Sequence, residues 1–263
     1  MTEVVLHEIE GGVAVLTLNR PDRLNAWTAD MQLAYFDLLE ECARSDEVRS
    51  IVVTGAGRGF CAGADMDNLQ ALSAGDGHPT SARESRPVTF PLTIPKPIIA
   101  AINGPCAGLG LVMALMCDLR FAAADAKITT AFVRRGLIAE HGISWVLPRL
   151  VGPARALDLL LSGRIVLGEE AAQLGLVNRA VEDARGEAIA YARTLASDCS
   201  PASMAAMKRQ VYADYSRSLD DALEEANRLM LESFARPDFA EGVQSFVERR
   251  SPSFAPLSLS PGP

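Results

Sequence analysis

Ile99-Ala100-Ala101-Ile102-Asn103-Gly104-Pro105-Cys106-Ala107-Gly108-Leu109-Gly110-Leu111-Val112-Met113-Ala114 is the stretch that decides how this chain is read. Its apolar opening reads as a buried strand. Asn103-Gly104-Pro105 is a strong turn signal, and the small residues after Gly108 resume as a helix. A helix that opens on Gly108-Leu109-Gly110 lets another atom approach the main chain, because glycine has no Cβ. The backbone N–H groups there carry partial positive charge and favour an anion. A developing oxyanion can be held at such a place without any charged side chain.

A second segment has the same design. Arg49 to Gly55 reads as a strand, Ala56-Gly57-Arg58-Gly59-Phe60-Cys61-Ala62-Gly63-Ala64-Asp65 as a glycine-rich turn, and Met66 onward, with Leu69 and Leu72, has helical spacing. One glycine loop is common. Two strand–turn–helix units matter more, since an oxyanion hole needs two donors. The run Gly55-Ala56-Gly57-Arg58-Gly59 lacks GxGxxG spacing and no acidic residue ends a second strand about 20 positions on, which argues against a dinucleotide site.

Outward from these units, Val4 to Ile9 and Val13 to Leu18 read as strands joined at Gly11-Gly12. Thr28 to Arg44 reads as a helix with Met31, Tyr35, Leu38, Leu39 and Cys42 on one face and Thr28 as its cap. Ser73 to Pro91, which includes His78, is polar and rich in breakers, and is expected to be a mobile loop. Ile128 to Phe132 suggests a short strand. Helices are expected from His141 or Gly142 through Leu147, over Ala154 to Leu161, and over Gly168 to Leu174. The alternation of strand and helix patterns gives an α/β fold. From Gly186 the texture turns helical, with amphipathic patterns over Ser203 to Tyr212, Leu219 to Phe234 and Asp238 to Val247. The expected division is an α/β core over 1–195, a helical region over 196–250 and a disordered Pro/Ser-rich tail over 251–263. The face of Leu223, Ala226, Met230 and Phe234 reads either as core or as a surface packed on a neighbouring subunit. No internal repeat is visible.

The chain has 263 residues, 49% hydrophobic and 22% charged, with formal net charge −8. That balance suits a large core and argues against a general nucleic-acid or anionic-membrane binder. No apolar run reaches the roughly 18 residues of a membrane span. Glu3, His7, Glu8 and Glu10 interrupt the N-terminus as a signal peptide, and a cytoplasmic location is expected. The five cysteines show no CxxC spacing, so neither a metal site nor a disulfide framework is expected. Cys61 and Cys106, beside the two glycine loops, read as small buried side chains rather than nucleophiles.

At these loops the chain resembles the crotonase superfamily of enoyl-CoA hydratases and isomerases. The resemblance is carried by Phe60-Cys61-Ala62-Gly63-Ala64-Asp65 and by Ala101 to Gly110. Leu18-Asn19-Arg20-Pro21, Leu24-Asn25-Ala26, Pro95 to Ala100, Leu147-Pro148-Arg149-Leu150-Val151-Gly152, Leu161 to Arg164 and Ala171 to Asn178 add to it. It runs from about Leu16 to the helices near Val247. It implies a spiral of ββα units with C-terminal helices that build homotrimers, often paired into hexamers. It implies an acyl-CoA thioester as substrate, whose carbonyl oxygen sits on the N–H groups of Ala64 and Leu109, with coenzyme A part of the substrate and no separate cofactor. Arg23, Leu24, Ala26, Ala62, Asp65, Gly108, Val112, Phe132 and Trp145 fall at substrate-binding positions. Because CoA is anionic in an acidic chain, binding must rest on local cations, for which Arg23, Arg58 and Lys96 are candidates. Each also reads simply as a solvated surface charge.

The chain departs from the family's hydratase pattern at two positions. The first hydratase glutamate belongs three residues after the second donor, where this chain has Val112; the other belongs twenty residues later, at Phe132. Neither side chain can accept a proton. A substitute stands in Gly136-Leu137-Ile138-Ala139-Glu140-His141-Gly142. Some family isomerases, including ring-epoxide isomerases, place one acid in this loop, in the pattern Gly-Leu-(Ile/Val)-x-(Asp/Glu). The resemblance makes Glu140 the proton carrier, with His141 as its partner or as a base. Without it, Glu140 reads as a surface residue at a helix start, His141 as a loop histidine, Trp145 as core, and Asp65 and Asp118 as turn or helix-end acids. Arg134-Arg135 reads as a solvated pair, with phosphate contact as the other option. The readings left open are an isomerase using Glu140, a hydratase with an unusual base, and a non-catalytic acyl-CoA-binding subunit.

Overall fold

Val13–Leu18 (β2) is apolar along nearly its whole length and lies inside a sheet rather than at its edge. It pairs antiparallel with β1 (Val5–Glu10), the mostly exposed edge strand, and parallel with β3 (Ser50–Gly55). The sheet continues in parallel through β4 (Ile98–Ile102), β6 (Leu119–Ala123) and β9 (Arg179–Val181), in the order β1-β2-β3-β4-β6-β9. A second sheet holds β5 (Cys106–Ala107), β7 (Lys127–Thr129) and β8 (Val166–Leu167) in the order β5-β7-β8. The structure, a computed structural model, describes residues 3–76 and 86–257.

Helices cover both faces of the large sheet. α1 (Ala29–Arg44) starts where the Thr28 side chain accepts from the Met31 N–H, and buries Met31, Tyr35, Phe36 and Leu39. Its C-terminal end is closed by the buried Lys96, whose Nζ donates to the carbonyls of Cys42 and Ser45 at 2.6 Å each. α2 (Met66–Ala74), α3 (Leu109–Leu115), α4 (Ile143–Val151), α5 (Pro153–Ser162) and α6 (Gly168–Leu174) follow. On the opposite face α7 (Ala184–Asp198) lays Ala188, Ala192 and Ala196 against Val13, Val15, Val52, Ile99 and Phe121. An alanine stripe lets helix and sheet approach closely. The 195/196 division expected from sequence falls within this helix, three residues short of its end.

α8 (Pro201–Asp214), α9 (Leu219–Phe234) and α10 (Pro237–Glu248) complete the chain. Asp118, at the start of β6, fastens α8 to the sheet. Its Oδ2 accepts from Lys208 Nζ and from the Ile98 N–H, both at 2.8 Å, and its Oδ1 from the Tyr212 hydroxyl at 3.0 Å. The helix-end reading of Asp118 is thus extended to a link across 90 residues of chain.

Two expectations are corrected. Ile128 to Phe132 is not one strand: β7 ends at Thr129, Ala131 turns the chain at φ 58°, and Phe132–Arg135 forms a 3-10 turn. Side-chain hydroxyls take over the bonding there, with Thr129 Oγ1 accepting from the Ala131 N–H and Thr130 Oγ1 donating to the Leu159 carbonyl. The tail does not begin as a free segment at Ser251. The Phe254 carbonyl accepts from Arg49 at 2.7 Å, and the Ser253 N–H donates to Glu241 at 2.6 Å. Residues 258–263 lie outside the described residues. So do residues 77–85 of the expected loop, His78 among them; α2 reaches into its start, and Phe90–Thr93 near its end is a 3-10 turn. Among the described residues no helix is long and apolar enough to cross a membrane.

Candidate active site

The turns after β3 and β4 are stitched to each other before either meets a ligand. The Asn103 amide nitrogen donates to the carbonyls of Gly55 and Gly57, and its oxygen accepts from the Gly55 N–H and Thr54 hydroxyl. Asn25 donates from its own amide to Ala56 and Gly59 carbonyls at 3.0 and 2.8 Å. The backbones then run side by side: the Phe60 N–H donates to the Pro105 carbonyl and the Ala107 N–H to the Cys61 carbonyl. Gly104 allows the approach, since a Cβ there would lie 2.1 Å from the Arg58 carbonyl oxygen.

On its other side the Cys61–Asp65 segment is held by the chain that leads into α1. The Ala62 N–H donates to Leu24, the Trp27 N–H to Gly63 and the Asp65 N–H to Trp27. Each neighbour of Ala64 is therefore committed, while Ala64 itself is not. Among the described residues neither the Ala64 nor the Leu109 N–H is given to a protein acceptor. Leu109 is the first residue of α3, where the helix offers its N–H no partner. The two loops meet at Gly63, whose missing Cβ would stand 3.7 Å from the Leu109 nitrogen.

Both donors open on a cavity of about 370 Å³. Its lining brings together Arg23, Ala26, Ala62, Ala64, Asp65, Gly108, Leu109, Phe132, Glu140 and His141, all expected from sequence. It also includes Gly63, Met66, Leu69, Leu72, Ala131 and Leu137, which the sequence reading assigns to no site, and Arg135, for which phosphate contact is the second of its two readings. The Met66, Leu69 and Leu72 spacing was visible as one helical stripe, but nothing in it said which cavity the stripe would face.

Three expected positions lie elsewhere. Leu24 acts through its carbonyl on Ala62 and is not in the lining. Val112 is buried in the core behind the loop. Trp145 is 40% exposed on α4, neither core nor pocket, with the Arg149 guanidinium 3.9 Å above its ring and Tyr215 edge-on to it. α4 buries Ile143, Leu147 and Val151, and Trp145 is two positions off that stripe. Of the cations, Arg58 is exposed away from the cavity, and Lys96 is spent on the end of α1.

Glu140 and His141 sit in the loop before α4, with His141 in the left-handed region at φ 56°. Their side chains are 34% and 27% exposed, and His141 Nε2 lies 3.9 Å from Glu140 Oε2. Burial lowers the His141 pKa from its ordinary value, against the opposing pull of Glu140, so the neutral ring prevails near pH 7. Asp65 is nearly buried, caps α2 through the Asp67 N–H and pairs with Arg20 at 2.8 Å. Burial pushes the Cys61 thiol up to about 12 and raises Cys106 too, so neither supplies a thiolate. No cluster of metal-ligating side chains occurs among the described residues.

The chain as a whole is similar to known proteins. The profile of a family described as Enoyl-CoA hydratase/isomerase matches residues 8–256. The 1,2-epoxyphenylacetyl-CoA isomerase of Escherichia coli (strain K12) is 35% identical over 260 residues, covering 97% of this chain and 99% of the relative. A crystal structure of an enoyl-CoA hydratase, EchA12_1, from Mycobacterium marinum is 52% identical with TM-score 0.70, covering 82% of this chain and all of that one. Another, of an enoyl-CoA hydratase from Polaromonas sp. JS666, has TM-score 0.85 at 29% identity, covering 95% of this chain and 99% of that one. The chain belongs to the enoyl-CoA hydratase/isomerase family, within the crotonase superfamily.

Proposed function

We propose that this acyl-CoA-processing enzyme is an isomerase that shifts a double bond from the 3- to the 2-position of an enoyl-CoA, with Glu140 as its only proton carrier. One observation carries the reading: the Glu140 carboxylate shares a cavity with the Ala64 and Leu109 N–H groups, while the two hydratase glutamate positions hold Val112 and Phe132. The thioester oxygen accepts from both N–H groups. Glu140 takes a proton from C2, and the electron pair of that C–H bond moves into a dienolate whose charge rests on the oxygen. Each donor is worth about 3–4 kcal/mol to that charge. The protonated Glu140 then delivers the proton to C4, which leaves the 2-enoyl thioester and the original carboxylate. Phe132 and Leu137, with the α2 stripe, make the cavity apolar and favour proton return over attack by water. Val112 contributes to the core and not to this exclusion. Arg23, which also pairs with Asp67 at 3.5 Å, and Arg135 both line the cavity and are the cations available to the CoA phosphates.

Hydration is the second reading, favoured by the neutral His141 beside Glu140, which would give a second group able to handle protons. The exposed Leu219, Leu223, Phe234, Phe246 and Val247 on α9 and α10 support association of three copies through these helices. The test is conversion of a 3-enoyl-CoA by the native protein and by Glu140→Gln. Loss of turnover with retained acyl-CoA binding supports the isomerase; undiminished turnover removes Glu140 from the mechanism. Efficient hydration of crotonyl-CoA favours the second reading, and binding without any turnover favours a non-catalytic subunit.

A further inference from the structure

Arg20 and Asp65 form a partly buried ion pair next to the oxyanion donor, with the Arg20 side chain 24% exposed and that of Asp65 6%. Asp65 follows Ala64 in sequence, lines the cavity and is only 4% exposed. A bare carboxylate there would oppose negative charge growing on a thioester oxygen, because field lines are poorly screened where water is excluded. Arg20 Nη1 meets Asp65 Oδ2 at 2.8 Å and also donates to the Ala26 carbonyl at 2.5 Å. Arg20 is itself fixed by its backbone, whose N–H donates to Asn25 Oδ1 and whose carbonyl accepts from the Arg23 and Asn25 N–H groups. The other carboxylate oxygen accepts from the Asp67 N–H at the start of α2. One guanidinium thus joins three cavity-lining positions: Ala26 through its carbonyl, Asp65 through its carboxylate and Ala64 through the peptide that Asp65 anchors. Burial works against ionisation of Asp65, but the Arg20 hydrogen bond, the Asp67 N–H and the charges of Arg20 and Arg23 outweigh it. The carboxyl therefore stays charged and has to be neutralised in place.

We propose that Arg20 is a positioning residue for the oxyanion hole: it cancels the Asp65 charge and holds the Ala64 N–H on the thioester oxygen. The proposal rests on the acyl-CoA reading of the cavity. It predicts a dependence on charge balance that a merely structural bond would not show. Arg20→Gln leaves a buried carboxylate beside the hole. Asp65→Asn removes that carboxylate and keeps an acceptor for the Asp67 N–H. Arg20→Gln with Asp65→Asn is neutral again, with side chains of similar size.

The experiment uses a dimethylaminocinnamoyl-CoA thioester, whose absorption moves to the red when its carbonyl is polarised. Binding to the native protein should give a clear red shift. In Arg20→Gln the shift should be largely lost while affinity, set by the CoA part, holds; the shift should persist in Asp65→Asn and return in the double variant. An undiminished shift in Arg20→Gln, or a double variant no better than Arg20→Gln, overturns the proposal. Should Arg20→Gln not fold, Asp65→Asn and the double variant decide: a shift lost in both overturns it. Absence of a shift in the native protein instead removes the oxyanion hole, and the proposed function with it.

Discussion

A methyl group on Gly110 would stand 2.3 Å from the Cys61 carbonyl oxygen and 2.8 Å from the Cys61 Cβ. The first turn of α3 therefore lies directly on the segment that carries Ala64, and the two proposed donors are spaced by this contact. Gly110→Ala must push one of them away. The expected result is a loss of about 1–3 kcal/mol in stability, as for an overpacked core. Chemical denaturation measures it, and a variant as stable as the native protein would show that the contact is not tight.

Gly63→Ala strikes the hole itself. Gly63 has φ 99°, a region L side chains rarely adopt, and its Cβ would stand 2.8 Å from the Ala107 carbonyl oxygen. Moving the Gly63–Ala64 peptide displaces one donor. Turnover of a 3-enoyl-CoA should fall by about 10²–10³-fold. Steady-state kinetics on folded variant protein would read this as a fall in kcat, with a smaller change in KM.

His141 links stability to pH in a defined direction. Burial holds its folded-state pKa below the unfolded value of about 6.5, with Glu140 opposing. Above that value both states are neutral there, and His141 adds no slope. As pH falls below about 6.5 the unfolded chain takes up the proton first, so the fold loses stability until the folded-state pKa is passed. Unfolding midpoints at pH 7.5 and 5.5 should therefore differ more for the native protein than for His141→Gln. Equal differences would remove this linkage.

Lys208→Met tests the fastening of α8. The Lys208 and Asp118 side chains are 9% and 18% exposed, and Lys208 also donates to the carbonyls of Pro91 and Lys96. Removing the cation leaves Asp118 with its other hydrogen-bond partners and the nearby Arg120 charge, but without its ion-pair partner. The expected cost is about 2–3 kcal/mol, lowered by the partial access of water. Hydrogen exchange should quicken in α8 before it quickens in the large sheet.

The strand–turn–helix units were legible because their signals are local. Gly55, Gly104 and Gly108 mark the turns, and the apolar runs of β3 and β4 have strand length. The Thr28 cap and the Glu140 loop could be read the same way. Ile128 to Phe132 departs from the strand expectation because hydroxyl-to-backbone bonds at Thr129 and Thr130 override strand propensity, and the Thr130 partner, Leu159 on α5, is distant in sequence. The start of the tail differs from its expectation because Pro/Ser composition says nothing of Arg49, whose guanidinium reaches the Phe254 carbonyl across 205 residues.

Sequence by itself determined the α/β pattern, the two glycine loops and the absence of a carboxylate at positions 112 and 132, since all three depend on residue identity and short-range spacing. Tertiary structure alone decided that Glu140, Ala64 and Leu109 line one cavity, that Trp145 and Val112 do not, and that Arg20 stands behind Asp65. The reason is geometric. Which side of a helix faces a cavity, and which distant charges meet, follow from how packed elements are rotated against one another, and no local pattern encodes that rotation.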